Sequence, residues 1–219
     1  MGKHQSTMAI SNPSADQLDS SIRGWRPSRL EGLVKRGTDL VLAAAVLALL
    51  ALPMLLIALA VKLTSKGPVL YWSDRVGRNN RIFRMPKFRS MRNDSPEVAT
   101  HLLMEPSTYL TRIGPFLRIT SLDELPQLYS ILIGDLSFVG PRPALYNQHD
   151  LISLRTERGI HELVPGLTGW AQVHGRDQLS IPAKVEYDYE YLQNRTYWLD
   201  LKILVLTVFN VLCRDGVAH

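Results

Sequence analysis

Cysteine is almost absent from this chain, which has one, Cys213, among its 219 residues. A single thiol forms no internal disulfide and builds no cysteine metal cluster. The sequence therefore lacks both devices that stabilise small secreted domains, and a reducing, cytosolic setting suits it best.

Other familiar signals are missing as well. The chain has no internal repeat, no low-complexity tract and no Gly-Lys-Ser/Thr step of a Walker A loop. His174 has no second histidine or cysteine at ligand spacing, which favours a structural or surface role over a zinc ligand.

Positive charge is in excess, with 25 Lys and Arg against 20 Asp and Glu, a net charge of +5. This balance favours a partner that carries phosphates, such as nucleic acid, an anionic membrane or a phosphorylated small molecule. The length suits one domain with an appendage. Residues 1–29 are polar and poor in large apolar side chains, and we predict a disordered tail there.

From Leu40 to Val61 nearly every residue is apolar, a run of about 22 residues that is long enough to cross a bilayer as a helix. The run starts too deep in the chain for a cleavable signal peptide. Pro53 lies near its middle, where it removes a helical hydrogen bond and favours a bend. Basic residues flank both ends, so the positive-inside tendency favours neither orientation. Both observations favour a re-entrant helix over residues 30–66 rather than a spanning one.

A basic stretch follows this apolar run. Gly77–Asn80 has the composition of a hairpin turn between two short strands. Part of the positive charge suits a membrane surface, whereas Lys87 and Arg89 suit a diphosphate. Because no RNA-recognition or zinc-finger motif accompanies these residues, nucleic acid is not the expected partner. The cations of this stretch are Arg75, Arg78, Arg81, Arg84, Lys87, Arg89 and Arg92.

The segment Thr120–Gln127 has two interpretations. Ser121 and Glu124 fit a capping box, in which Ser121 caps a helix and Glu124 reaches back to the cap. In the other interpretation Asp123, at the positive end of that helix, is a nucleophile toward phosphorus and Glu124 is a metal ligand.

Two later segments complete the pattern. In Gly140–Pro143, two prolines fix the backbone on either side of Arg142, whose guanidinium suits a phosphate. Tyr197–Leu212 is an apolar stretch too short to span comfortably, and we predict a helix at the membrane interface or on the core.

Taken in order, six segments resemble the bacterial sugar transferase family, the monotopic phosphoglycosyl transferases. Each motif alone is weak, but together they run from about Lys35 to the C-terminus in the family's order. The segments are the apolar helix broken at Pro53, Lys87–Met91, Ser121–Gln127, Gly134–Pro143, Pro165–Gln172 and Leu199–Leu204.

The resemblance implies a two-step reaction on a UDP-sugar. Asp123 attacks the phosphate that bears the sugar and releases UMP, and polyprenyl (undecaprenyl) phosphate then takes the phosphosugar from Asp123. This reaction begins bacterial glycoconjugate assembly. By similarity, Glu124 helps to hold Mg²⁺ on the diphosphate. The resemblance leaves open whether the donor carries an N-acetylated 6-deoxy sugar, glucose or galactose, and it leaves open the oligomeric state.

By the same resemblance, seven residues are expected to bind substrate. The cations are expected to contact the phosphates, and the backbone around the two prolines is expected to contact the uridine. Asp188 matches an acidic position of the family, without an assigned role. These residues are Lys87, Arg118, Pro141, Arg142, Pro143, Arg176 and Asp188.

The implied fold is mixed α/β and mostly helical. It comprises the tail 1–29, a re-entrant membrane helix hairpin 30–66 broken at Pro53, and a compact cytoplasmic catalytic domain 67–219. That domain is expected to contain a small β-hairpin and interfacial amphipathic helices, at the cytoplasmic face of the inner membrane and in contact with its lipids. Two rivals stay open: a membrane-anchored basic binding protein without activity, and a one-step transferase without a covalent intermediate.

Overall fold

We describe a computed structural model of the chain over residues 29–92, 94–95, 106–175 and 178–213. The predicted tail lies outside this part of the chain except for Arg29, which begins the first helix. The α-helices are α1 (Arg29–Thr64), α2 (Gly114–Ile119), α3 (Leu128–Ile133), α4 (His149–Glu157), α5 (Trp170–Val173), α6 (Ile181–Asn194) and α7 (Tyr197–Cys213). Short 3₁₀ helices cover Arg78–Asn80, Pro106–Tyr109, Leu122–Gln127 and Ile160–Glu162. The strands are β1 (Leu70–Val76), β2 (Ile82–Phe88), β3 (Ser137–Val139) and β4 (Gly166–Thr168).

Helix α1 is long, apolar and mostly exposed. It has 36 residues and continues through Pro53. In the described part of the chain it is the one helix long and apolar enough to cross a membrane, and 6% of its most apolar stretch is buried in the protein. Residues 48, 49 and 51–53, around the proline, are all exposed. The mostly helical, mixed α/β class with a long apolar N-terminal helix is therefore confirmed.

The first half of α1 is tied to the rest of the protein by polar contacts. Arg36 donates to the carbonyls of Ile131 (2.6 Å) and Leu132 (2.7 Å), which lie at the C-terminal end of α3. The Asp39 carboxylate accepts a hydrogen bond from the backbone N–H of Phe138, at 3.1 Å.

The second half of α1 is held by a different part of the protein. Val61 is fully buried and packs with Phe88 and Leu117. Arg89 donates to the carbonyl of Ser65 (2.9 Å), just beyond the last turn of the helix. Both ends of α1 therefore contact the same folded body, whereas its middle stands clear of it.

Two small sheets organise the remainder. β1 and β2 form the predicted hairpin, antiparallel from Leu70–Phe88 at the open end to Val76–Ile82 at the turn. β3 and β4 pair in parallel. The main core cluster lies around them and includes Met85, Ile131 and Phe138.

Helix α7 closes this core on one side. Ile203 is fully buried, whereas Trp198, Val205 and Phe209 are exposed. The helix predicted over Tyr197–Leu212 is confirmed, and its exposed side is an apolar surface.

Candidate active site

Asp123 and Glu124 lie in the 3₁₀ helix Leu122–Gln127, not in an α-helix. The chain enters this turn through Ser121, whose φ of 55° is left-handed, a backbone state that costs a non-glycine residue about 1 kcal/mol or more. The Ser121 side chain makes no capping hydrogen bond. The predicted capping box is therefore wrong, because Glu124 points to distant cations instead of back to the cap.

Two cations converge on one oxygen of Glu124. Lys87 Nζ and Arg142 Nη2 each lie 2.9 Å from Glu124 Oε1. The Lys87 and Glu124 side chains are mostly buried, 15% and 13% exposed, and Arg142 is 32% exposed. Three of the side chains predicted to form the site therefore meet, although the first and last of them are 55 positions apart in sequence. They bring together a carboxylate, an ammonium and a guanidinium.

Asp123 lies next to this cluster and is itself buried, 8% exposed. Burial is the main reason that the pKa of Asp123 lies above its ordinary value. Lys87 pulls that pKa down, neighbouring Glu124 pushes it up, and the charges of Arg118 and Arg142 also lower it. The carboxylate is therefore poorly solvated but surrounded by positive charge.

Glu124 behaves in the opposite way. Burial alone would raise its pKa, but the charges and hydrogen bonds of Arg142 and Lys87 outweigh burial and hold the pKa well below the ordinary value. Burial also lowers the pKa of Lys87, against the attraction of Glu124 and Asp123. The two adjacent carboxyl groups thus have pKa values moved in opposite directions, a pattern found where two acids serve different roles.

Close backbone packing delivers Arg142 to this place. A Cβ on Gly166 would lie 2.1 Å from the Gly140 nitrogen, and one on Gly169 would lie 2.1 Å from the Gly140 oxygen. Only glycine allows β3 and β4 to approach so closely just before the Pro141–Pro143 segment. The two glycine-containing motifs of the sequence therefore form one structural unit.

The other expected site residues are placed as follows. Pro141 and Pro143 are buried beside Arg142. Arg118 is half-buried at the end of α2, close enough to influence Asp123. Arg176 lies outside the described residues.

Asp188 lies behind the site rather than in it. The side chain is 1% exposed on α6, and Arg155 Nη2 approaches its Oδ2 to 2.6 Å. Burial raises the pKa of Asp188, although Arg155 opposes the rise.

Two arginines that sequence reasoning did not assign to the site also reach it. Arg155 Nη1 donates to the Arg142 carbonyl (2.7 Å), and Arg75 Nη1 donates to the Pro143 carbonyl (3.2 Å). Arg75 belonged to the basic stretch, but Arg155 looked like an ordinary helical residue. No local signal in the sequence could have distinguished Arg155, because its partners, Asp188 and the Arg142 carbonyl, are distant in sequence.

The arrangement suits displacement at phosphorus. A buried carboxylate offers a nucleophile, and the surrounding cations offset the charge of a phosphoryl group under attack. The site thus belongs to a class suited to phosphoryl transfer.

Comparison with known proteins agrees with this class. The family model described as bacterial sugar transferase matches residues 30–214. The chain belongs to the bacterial sugar transferase family, as its motifs predicted.

Individual relatives cover most of the chain. It is 39% identical over 189 residues to the UDP-glucose:undecaprenyl-phosphate glucose-1-phosphate transferase of Escherichia coli K12, covering 83% of this chain and 41% of that protein. A Caulobacter vibrioides protein of the same name is 38% identical over 225 residues, 99% of this chain and 84% of that protein. The uncharacterized sugar transferase EpsL of Bacillus subtilis is 40% identical over 187 residues, 84% of this chain and 90% of that protein.

The relatives differ in length. The chain spans less than half of several of them, 41% of the Escherichia coli protein and 48% of the Aeromonas hydrophila UDP-N-acetylgalactosamine-undecaprenyl-phosphate N-acetylgalactosaminephosphotransferase. Their names specify different sugars.

Proposed function

We propose that this chain transfers a sugar-1-phosphate from a UDP-sugar to polyprenyl phosphate and so begins glycoconjugate assembly. The observation that carries the proposal is the position of Asp123, a buried carboxylate among Lys87, Arg118 and Arg142. The names of the relatives, which pair undecaprenyl phosphate with nucleotide sugars, support the substrate classes.

The reaction proceeds in two displacements. An Asp123 oxygen attacks the phosphorus that bears the sugar, the bridging P–O bond breaks, and UMP leaves with the bond's electrons. A phosphate oxygen of the polyprenyl carrier then attacks the same phosphorus, and the Asp123 carboxylate leaves. Burial helps the first step because a poorly solvated carboxylate is a stronger nucleophile, and the cations offset the charge that develops on phosphorus.

The residues present fit Mg²⁺ only together with a diphosphate. Among the described residues, no group of three or more His, Cys, Asp or Glu side chains is arranged to hold a metal. Magnesium is commonly held by one or two carboxylates together with substrate phosphates, and Glu124 can supply such a carboxylate. When bound, the ion would neutralise charge on the diphosphate.

We place helix α1 in the membrane as a re-entrant element. Asp39 and Ser65 both contact the folded body. In a straight helix the 26 positions between them would span about 39 Å, more than the hydrocarbon thickness. A spanning helix would put its ends on opposite sides of the membrane, where one folded body could not hold both. The exposed region around Pro53 then enters the bilayer, and the exposed side of α7 lies at its surface.

Cysteine labelling tests this placement. In a Cys213→Ser background, Leu33→Cys and Lys66→Cys put one exposed thiol near each end of α1. A re-entrant helix at the cytoplasmic face predicts that a membrane-impermeant maleimide labels both in inside-out vesicles and neither in spheroplasts. Labelling of the two positions from opposite sides would establish a spanning helix.

Trapping the intermediate tests the chemistry. The protein in nanodiscs is incubated with Mg²⁺ and a panel of UDP-sugars, without polyprenyl phosphate, and its intact mass is measured. We expect a phosphosugar adduct that maps to Asp123 and is missing from Asp123→Asn. UMP release that requires the lipid, without an adduct, would indicate one-step transfer. No adduct and no UMP release with any donor would favour the non-enzymatic binding protein.

A further inference from the structure

The Pro141–Pro143 segment is held by three separate hydrogen bonds to three consecutive carbonyls. The Pro141 carbonyl accepts from the Gly166 N–H (2.9 Å), that of Arg142 from Arg155 Nη1 (2.7 Å), and that of Pro143 from Arg75 Nη1 (3.2 Å). The central bond is the one that fixes the residue whose side chain meets Glu124.

Arg155 makes that bond while its other nitrogens are occupied. Its Nε and Nη2 lie 3.0 Å and 2.6 Å from Asp188 Oδ2. Arg155 is 11% exposed at the side chain and Asp188 is 1% exposed. A guanidinium is planar and its donors point in fixed directions, so two bonds to Asp188 determine where the third donor lies.

We infer that Arg155, anchored by Asp188, is a positioning residue that holds the Arg142 backbone so that the Arg142 guanidinium reaches the reacting phosphates. The inference rests on the proposed function, and it gives Asp188 an indirect role through Arg155. Arg155 itself does not touch Glu124 or Asp123 in this arrangement; its bonds run to the Arg142 carbonyl and to Asp188.

A variant that tests this role must remove the hydrogen bond from Arg155 to the Arg142 carbonyl without leaving the Asp188 charge buried and unpaired. Loss of Arg155 alone strands Asp188 and threatens the fold. The double variant Arg155→Met/Asp188→Leu replaces the buried pair by apolar side chains of similar volume, an exchange that folded proteins tolerate. Arg155→Lys is the conservative companion, because it keeps a charge toward Asp188 but lacks the planar fork.

The matched control is the neighbouring ion pair between the same two helices. Arg158, just beyond the end of α4, pairs with Glu186 on α6, and this pair is exposed. Arg158→Met/Glu186→Leu therefore replaces another arginine–carboxylate pair, close to the same helix–helix contact, by the same two apolar residues.

A mutant cycle with Arg142→Ala separates positioning from general damage. We expect the Met/Leu double variant to lower kcat/KM for UMP release by about 10- to 100-fold, the loss that a displaced catalytic group causes, and Arg155→Lys to lower it similarly. In an Arg142→Ala background the same double variant is expected to cause less than a threefold further loss. The control pair is expected to change kcat/KM by less than twofold in either background.

Binding provides a readout that does not depend on turnover. The affinity for UDP, measured by calorimetry, is expected to follow the same non-additive pattern. Two results would overturn the positioning role: an undiminished loss of kcat/KM from Arg155→Met/Asp188→Leu in the Arg142→Ala background, or full activity of Arg155→Lys. Neither result would affect the Asp123 adduct, so the proposed function would stand. A wild-type protein that forms no adduct and binds no UDP would overturn the proposed function and this inference with it.

Discussion

Replacing Asp123 by Asn is expected to abolish turnover and, at the same time, to stabilise the fold. The side chains have nearly the same shape, so the exchange preserves packing and removes one buried charge. Burial outweighs the attraction of Lys87, Arg118 and Arg142, since the pKa of Asp123 is raised rather than lowered. The ionised carboxylate therefore costs folding free energy at neutral pH.

The expected gain is about 1 kcal/mol, the usual scale when a strained functional group is replaced. For a chain of this size that is a rise in Tm of roughly 2–4 °C. The sign with pH follows from linkage. A raised folded pKa means that the penalty is complete at neutral pH, shrinks as pH falls through the folded pKa, and vanishes below the ordinary value of 3.8. The advantage of Asp123→Asn should therefore disappear in acid.

The assay is thermal unfolding in detergent, without nucleotide or magnesium, at a series of pH values. Asp74→Asn is the matched control, because Asp74 is exposed on β1 and its replacement should move Tm by about 1–2 °C at most. A lower Tm for Asp123→Asn at neutral pH would refute the desolvation argument. Retained turnover would refute the assignment of Asp123 as nucleophile.

Three further substitutions test the supporting contacts. Glu124→Gln leaves Lys87 and Arg142 facing each other and should lower the free energy of unfolding by about 3 kcal/mol, a fall in Tm of roughly 6–12 °C. Because the folded pKa of Glu124 is depressed, the difference in stability between variant and wild type should be complete above the ordinary pKa of 4.5. It should shrink as pH falls below that value. Asp39→Ala leaves a buried N–H without its acceptor and should cost about 1–3 kcal/mol by chemical denaturation, whereas Asp39→Asn, which keeps an acceptor, should cost less. Gly166→Ala places a Cβ 2.1 Å from the Gly140 nitrogen and should lower both Tm and the rate of UMP release, whereas Gly37→Ala, with nothing within 4 Å, should lower neither.

Elements with strong local signals could be predicted from the sequence. The β-hairpin was expected from its turn, and the strands Leu70–Val76 and Ile82–Phe88 extend it on both sides. The apolar helices α1 and α7 were expected from composition alone. These elements are determined by residues that are near neighbours in sequence, so the local pattern of apolar and turn residues is enough to predict them.

Elements that depend on distant partners could not be predicted. β3 and β4 pair residues such as Ser137 and Gly166, which are far apart in sequence, and each strand has three residues. The sequence predicted a fixed backbone at Gly140–Pro143, just after β3, and no strand at the position of β4. Arg155 is a similar case, because its importance comes from Asp188 on another helix and from the Arg142 carbonyl, and neither is a sequence neighbour.

At Glu124, a local capping hydrogen bond competes with ion pairs to residues that are distant in sequence, and the structure contains the ion pairs. A cap would give this side chain one backbone hydrogen bond, worth about 0.5–2 kcal/mol. Lys87 and Arg142 give it two charge-assisted bonds, each worth about 1.5–3 kcal/mol. The distant cations win on magnitude, and the 3₁₀ turn and the left-handed Ser121 are the local cost of turning Glu124 toward them. The departure from local preference therefore marks the same residues that the proposed chemistry needs.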